Sequence, residues 1–319
     1  MSGRFGRRAA TIIGVATCAT LALAPTAHGV PTGGAGQRSS AFDTVAGQDA
    51  APFSDAEVRR VLGKARDDVS FSVRDRRTGQ VYTYNSGMRN STGSIVKVLV
   101  LATIVRERRE SGRSLSSGQK KLADRMIRYS DNDATNSLLR QAGGRWAVQR
   151  MAKDLGMSRT TLQGAWGRTS TSAADQRLLM DKLVGGTPHL SKADRRYILG
   201  LMGRVVPEQR WGVGKVPAGQ SVAVKNGWVP LSPRGWRVNS IGSVKGSGRD
   251  YTLAILSYDN SSMGVGVERT RKISELVWKK LAPADAMAGA TAPTASGTTA
   301  APTLYWIRAG AAVPPHPLR

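Results

Sequence analysis

The sequence predicts an α+β protein. The expected core is an antiparallel sheet of about five strands, flanked by terminal helices in an α/β/α sandwich, with an all-helical lobe inserted. Three observations carry this. Two runs of period-two alternation, Val69–Val73 and Val81–Tyr84, come early in the chain. Three strand-like runs return after residue 220. Between them, residues 94 to about 205 follow helical spacing with recurrent caps.

Taken in order, Ser54-Asp55-Ala56-Glu57 forms a capping box, and Val58, Val61, Leu62 and Ala65 continue it at helical spacing. The turn Arg76-Arg77-Thr78-Gly79 joins the first two strands as a hairpin. In the helical stretch, caps recur at Ser172-x-x-Asp175 and Ser191-x-x-Asp194, and Gly143-Gly144 and Gly185-Gly186 mark helix ends. The later strands are expected at Ser221–Val224, Trp236–Val244 and Tyr251–Ser257, the last two joined through Gly246, Gly248 and Asp250. A final helix is expected from about Val267 to Leu281, with Ile273, Leu276, Val277 and Leu281 on one face. The folded unit is thus placed at residues 54–283, with its sheet part at 54–93 and 220–283 and its helical lobe at 94–219.

The flanks read differently. Arg4, Arg7 and Arg8 precede an apolar run, Ala9–Ala24, and a small-x-small site at Ala27-His28-Gly29, so residues 1–29 are expected to be a signal peptide. Arg7-Arg8 raises the twin-arginine export route without deciding it. The apolar run is short for a bilayer, so no stable membrane insertion is expected after cleavage. Residues 30–53 read as a flexible linker, and residues 284–319 as a disordered low-complexity tail interrupted by the apolar patch Leu304-Tyr-Trp-Ile307. The expected location is secreted or associated with the cell wall.

Cys18, inside the signal, is the only cysteine, so the mature chain has no disulfide, thiolate metal site or cysteine nucleophile. His189 and His316 are the histidines that remain, one in a turn and one in the tail; a Ser/His/Asp triad and a zinc site both lack support. No cofactor is expected. Loss of three arginines and no acids with the signal lowers the formal charge from +25 to +22. Such a charge attracts polyanions, including nucleic acid, acidic membranes and anionic cell-wall polymers. The basic residues lie in scattered pairs such as Arg59-Arg60, Arg76-Arg77 and Lys120-Lys121, which gives no specific nucleic-acid signature.

The chemistry is expected in the stretch Ser-Thr-Gly-Ser-Ile-Val-Lys, residues 91–97. Ser94 and Lys97 are three residues apart and share a helix face. Thr92-Gly93 puts Ser94 in the first turn, where free N–H groups favour a developing negative charge. Apolar residues surround Lys97, and burial lowers a lysine pKa, making the amine a usable base at neutral pH. A second copy of the spacing, Ser117-Gly-Gln-Lys120, lies in a polar stretch and carries no such context. Two further motifs follow in order: Tyr129-Ser130-Asp131-Asn132 at a helix junction, and Lys225-Asn226-Gly227 expected at a strand end.

With these three motifs the chain resembles the penicillin-recognising serine enzymes over roughly residues 54–282, and the class A beta-lactamase-like serine hydrolases most closely. The resemblance implies that Ser94 attacks a carbonyl with Lys97 as base and that Ser130 relays a proton to the leaving nitrogen. Asn132, Lys225, Asn226 and Gly227 are then substrate-binding residues. Lys225 attracts a substrate carboxylate, Asn226 donates to it, and Gly227 permits close backbone approach. The N–H groups of Ser94 and Trp228 form the oxyanion hole. Asp131, beside a turn, is expected to hold the backbone.

The chain also departs from that pattern. The class A enzymes it resembles carry a glutamate, in the loop after Ser-Asp-Asn, that activates the deacylating water. Here no Asp or Glu lies between Asp154 and Asp175, and Gln163 can position a water but not take its proton. Only thirty-three positions separate Lys97 from Ser130, which predicts a trimmed, more open cleft. Asn226 stands where threonine is usual. The expected function is therefore an exported serine acyl-enzyme hydrolase acting on a beta-lactam or related amide or ester, with slow turnover, as a monomer. The alternatives are a penicillin-binding or cell-wall peptide or ester hydrolase, and an inactive peptidoglycan- or polyanion-binding protein.

Overall fold

The fold is that of a computed structural model, which describes residues 42–44, 52–231, 233 and 235–283. The expected signal peptide, most of the expected linker, and the tail with its Leu304–Ile307 patch lie outside the described residues.

The five expected strands are present and form one antiparallel sheet: β2 (Val69–Asp75), β3 (Val81–Tyr84), β6 (Ser221–Pro230), β7 (Trp236–Gly246) and β8 (Arg249–Asn260). A sixth strand, β1 (Phe42–Thr44), adds to the edge, giving the order β1-β3-β2-β8-β7-β6. β1 falls within the stretch read as a loose linker. Its three residues carry too little periodicity to be seen alone, and their pairing with Tyr82–Tyr84 supplies the order. Phe53, at the end of the same stretch, is buried edge-on against Phe71 and Tyr82.

Two terminal helices cover one face of the sheet: α1 (Asp55–Leu62), with the expected capping box, and α8 (Met263–Lys280). α8 begins four residues earlier than the apolar pattern suggests, because Ser262 caps it by accepting from the Val265 N–H. Val58, Leu62, Ile273 and Val277 pack with Val69, Phe71, Val73, Tyr251, Leu253 and Ile255 of the sheet into one core cluster.

The other face carries the helical lobe: α2 (Val96–Glu110), α3 (Ser117–Arg128), α4 (Asn132–Gln141), α5 (Gly144–Asp154), α6 (Ala173–Gly185) and α7 (Lys192–Gly203). The lobe also holds β5 (Ser170–Thr171), which pairs with β4 (Asn90–Ser91) in a two-stranded sheet at the root of the lobe. α2 is buried continuously from Val96 to Arg106, a helix apolar on nearly all sides and wrapped by its neighbours. Its residues join those of α3–α7 and sheet residues Ala223, Ile241, Ala254 and Leu256 in the second core cluster. α2 is thus the fixed post on which the residues just before it are mounted. Among the described residues, no helix is long and apolar enough to cross a membrane.

Candidate active site

The chain enters α2 through a tight 3-10 turn, Gly93–Ile95, so Ser94 sits one turn earlier than the α-helix proper. Gly93 has φ +53°, and a Cβ there would lie 2.6 Å from the Trp228 nitrogen. Across from it, a Cβ on Gly227 would lie 2.6 Å from the backbone nitrogens of both Ser94 and Ile95. Two glycines therefore let β6 and the Ser94 turn approach with no side chain between them, and this brings the Ser94 and Trp228 N–H groups to one place. The strand itself runs to Pro230, so Lys225-Asn226-Gly227 lies within β6 rather than at its end as the sequence suggests. Burial of the following Val229 and pairing through Trp228–Val238 extend the strand past the glycine.

The turn is fixed from below by asparagines that the motif reading missed. Asn239 of β7 donates to the carbonyls of Ser91 (2.8 Å) and Thr92 (3.0 Å), and accepts from Asn90 (2.9 Å). Asn239 is fully buried in a strand whose apolar residues Val238, Ile241 and Val244 are buried with it. A polar residue in such a run was the signal available to sequence reasoning.

Lys97 and Lys225 are both fully buried, and among the described residues neither forms an ion pair. Lys97 Nζ donates to the Ser130 carbonyl (2.5 Å), to Asn132 Oδ1 (2.8 Å) and to Ser130 Oγ (3.3 Å). Lys225 Nζ donates to Ser130 Oγ (2.9 Å) and to the Asn226 carbonyl (2.9 Å). The Ser130 hydroxyl thus bridges two amines. Ser130 has φ +60°, a left-handed conformation costing about 1–3 kcal/mol in a non-glycine residue, which the two lysines and the helix cap that follows hold in place.

Burial drives the Lys97 amine well below the ordinary lysine value; the Lys225 charge pushes it further down and Asp131 offsets part of this. Burial alone lowers Lys225 to about 7. The lysine in the apolar run is tolerated because neutral oxygens solvate it and its pKa falls.

Asp131 caps α4, accepting from the Ala134 N–H (2.8 Å) and pairing with Arg125 (2.8 Å). Although burial pushes its carboxyl up, the Ala134 N–H and Arg125 outweigh this and hold it below the usual range. It serves the backbone, as the sequence suggests. Asn132, the first residue of α4, is exposed and presents its amide at the surface while its oxygen receives Lys97.

One expectation is corrected. Asn226 does not present a donor to substrate: it is fully buried, and its Nδ2 gives both hydrogens to the carbonyls of Gln209 (2.7 Å) and Trp211 (3.0 Å). Successive strand residues point to opposite faces, and Lys225 and Gly227 take the face toward Ser94. Ser94 Oγ makes no hydrogen bond to Lys97 among the described residues; the amine is held by Ser130 and Asn132. Catalytic hydrogen bonds of this kind are commonly formed only once substrate is present.

The loop that should hold a deacylating acid holds none. Asp175 accepts from the Arg159 N–H (2.8 Å) and from Thr160 Oγ1 (2.7 Å), and Asp154 pairs with Arg106 (2.6 Å), so both flanking acids are structural. Gln163 is exposed. What reaches the site from this loop is Trp166, whose ring covers Lys97 Nζ at 4.9 Å from its centroid.

The description of a family model, "Beta-lactamase enzyme family", matches residues 113–281, more than half of the chain. The chain belongs to the beta-lactamase enzyme family. The matched stretch includes Ser130, Asn132 and Lys225–Trp228 and begins after Ser94 and Lys97. Solved structures of this fold superpose on it. TLA-3 extended-spectrum beta-lactamase does so with TM-score 0.65 and 17% identity, covering 72% of this chain and 98% of its own. A class A beta-lactamase from Bacteroides cellulosilyticus DSM 14838 gives 0.63 and 17%, covering 71% and 96%. PBP-A gives 0.58 and 18%, covering 70% and 95%. No curated protein matches the chain.

Proposed function

We propose that this family member is an exported serine acyl-enzyme hydrolase that acylates readily and deacylates slowly. The observation that carries the reading is the Ser130 hydroxyl held between two buried amines, 3.3 Å from Lys97 and 2.9 Å from Lys225. Such a pair is costly to bury and stabilises the fold poorly, which fits a catalytic use. In the proposed reaction, Ser94 Oγ attacks an amide or ester carbonyl as neutral Lys97 takes its proton. The oxyanion gathers at the Ser94 and Trp228 N–H groups. The proton passes through Ser130 Oγ to the leaving nitrogen, and the charged fraction of Lys225 stabilises the relay and draws a substrate carboxylate. Beta-lactams fit this chemistry, as do cell-wall peptides. The formal +22 expected after loss of residues 1–29 supports retention beside anionic wall polymers. The lack of a free acid between Asp154 and Asp175 supports a long-lived ester.

The test is nitrocefin turnover on a stopped-flow time scale. A burst of one equivalent per chain followed by a slow steady state is expected, with the burst lost in Ser94→Ala. Fast turnover with no burst would refute slow deacylation, and a burst surviving in Ser94→Ala would remove that serine from the reaction.

A further inference from the structure

Three of the contacts around Lys97 Nζ are oxygens of Ser130 and Asn132, and the fourth is the Trp166 ring. Atoms in contact already take up about 3.5 Å. A centroid distance of 4.9 Å therefore leaves too little room for a water of about 2.8 Å diameter between amine and ring. The indole is also anchored. Its Nε1 donates to Asn136 Oδ1 (2.8 Å), and the Trp166 main-chain carbonyl accepts from the Thr169 N–H (3.1 Å) and from Thr92 Oγ1 (3.5 Å). The loop carrying it is pinned by the Thr161–Ser170 bridge and by Asp175. The turn Trp166–Arg168 packs directly on the Ser94 turn.

From this geometry we infer that Trp166 is a positioning residue that withholds water from Lys97 and so sets the lifetime of the Ser94 ester. The inference rests on the acyl-enzyme reading above. Hydrolysis of that ester needs a water oxygen to bond to the acyl carbon while its proton goes to a base. The carbon–Ser94 oxygen bond then breaks and Ser94 Oγ regains a proton, releasing a carboxylic acid. With both flanking acids committed, the unprotonated Lys97 amine is the base within reach, and the indole occupies the side from which water would approach it.

The experiment uses the full chain and a fluorescent penicillin, reading label formation and label decay separately. Wild type, Trp166→Phe, Trp166→Ala and Asn136→Ala are each expected to take up the label. Decay is expected to be about tenfold or more faster in Trp166→Ala, faster by a smaller factor in Asn136→Ala, and close to wild type in Trp166→Phe. In Trp166→Ala the decay rate should rise with pH as the coupled Lys97 and Lys225 amines lose protons, a dependence that general loosening of the loop does not give. Unchanged decay in Trp166→Ala and Asn136→Ala, with labelling intact, would overturn the inference while leaving the acyl-enzyme reading standing. Should Trp166→Ala not fold, unchanged decay in Asn136→Ala is sufficient to overturn it. Wild type that takes no label would sink the acyl-enzyme reading, and this inference with it.

Discussion

Lys97→Met is expected to slow acylation by about 10²–10⁴-fold while making the protein more stable. The loss follows from removing the proposed general base. The gain follows from the site's electrostatics: Lys97 is fully buried, with no carboxylate in contact, so folding must either strip its ammonium of water or take its proton away. Methionine keeps most of the volume without that cost. Stability should also depend on pH in a specific direction. Both lysines release their protons in the folded chain below the ordinary value of 10.5, Lys225 at about 7. Between about 7 and 10 the unfolded chain binds more protons than the folded one, so unfolding free energy rises with pH. Denaturant melts at several pH values should show that rise in wild type and a shallower one in Lys97→Met, where only Lys225 still contributes. A Lys97→Met protein that is less stable than wild type at neutral pH, or equally active, would contradict this account of the lysine.

Gly227→Ala is expected to cost acylation about 10²–10³-fold, the usual effect of losing one oxyanion donor. The added methyl would stand 2.6 Å from the Ser94 and Ile95 nitrogens and 2.7 Å from the Thr92 carbonyl oxygen. All three are backbone atoms of the turn leading into α2, and Asn239 ties down the Thr92 carbonyl among them. The turn cannot yield by a rotamer change, so β6 must retreat and carry the Trp228 N–H with it. The sheet itself should survive, because β6 pairs with β7 from Ser221 to Pro230. Acylation kinetics beside a thermal melt separate the two effects: a large rate loss with a cooperative melt is expected, and a near-normal rate would show that these two N–H groups are not the oxyanion site.

The parts of this site that the sequence made visible are those that violate a local pattern. Lys97 stands out because an ammonium interrupts the apolar run Ile95–Leu101, and Ser94 because it lies one turn before it. Ser130 and Lys225 were legible as motifs, and the structure joins them directly, Lys225 Nζ donating to the Ser130 hydroxyl. Asn226 was misjudged through chemistry read without geometry. Beside Lys225 in a strand it must face the other way, where the Gln209–Trp211 segment needs a donor. Trp166 was illegible, because an aromatic residue in an irregular loop has no periodicity. Its meaning comes from Asn136, thirty residues earlier, which aims the indole. The strand Phe42–Thr44 was hidden for a similar reason, since its order comes from a partner distant in sequence. The fold was legible because its two core clusters rest on long helical and strand runs whose spacing is local.

The most direct test of the central claim is peptide mapping by mass spectrometry of the wild-type chain quenched during reaction with benzylpenicillin. The account predicts one intact penicilloyl group per chain, carried by the peptide that contains Ser94 and persisting after free penicillin is removed. Penicillin consumed with no covalent species, or a label localised to another residue, would contradict it.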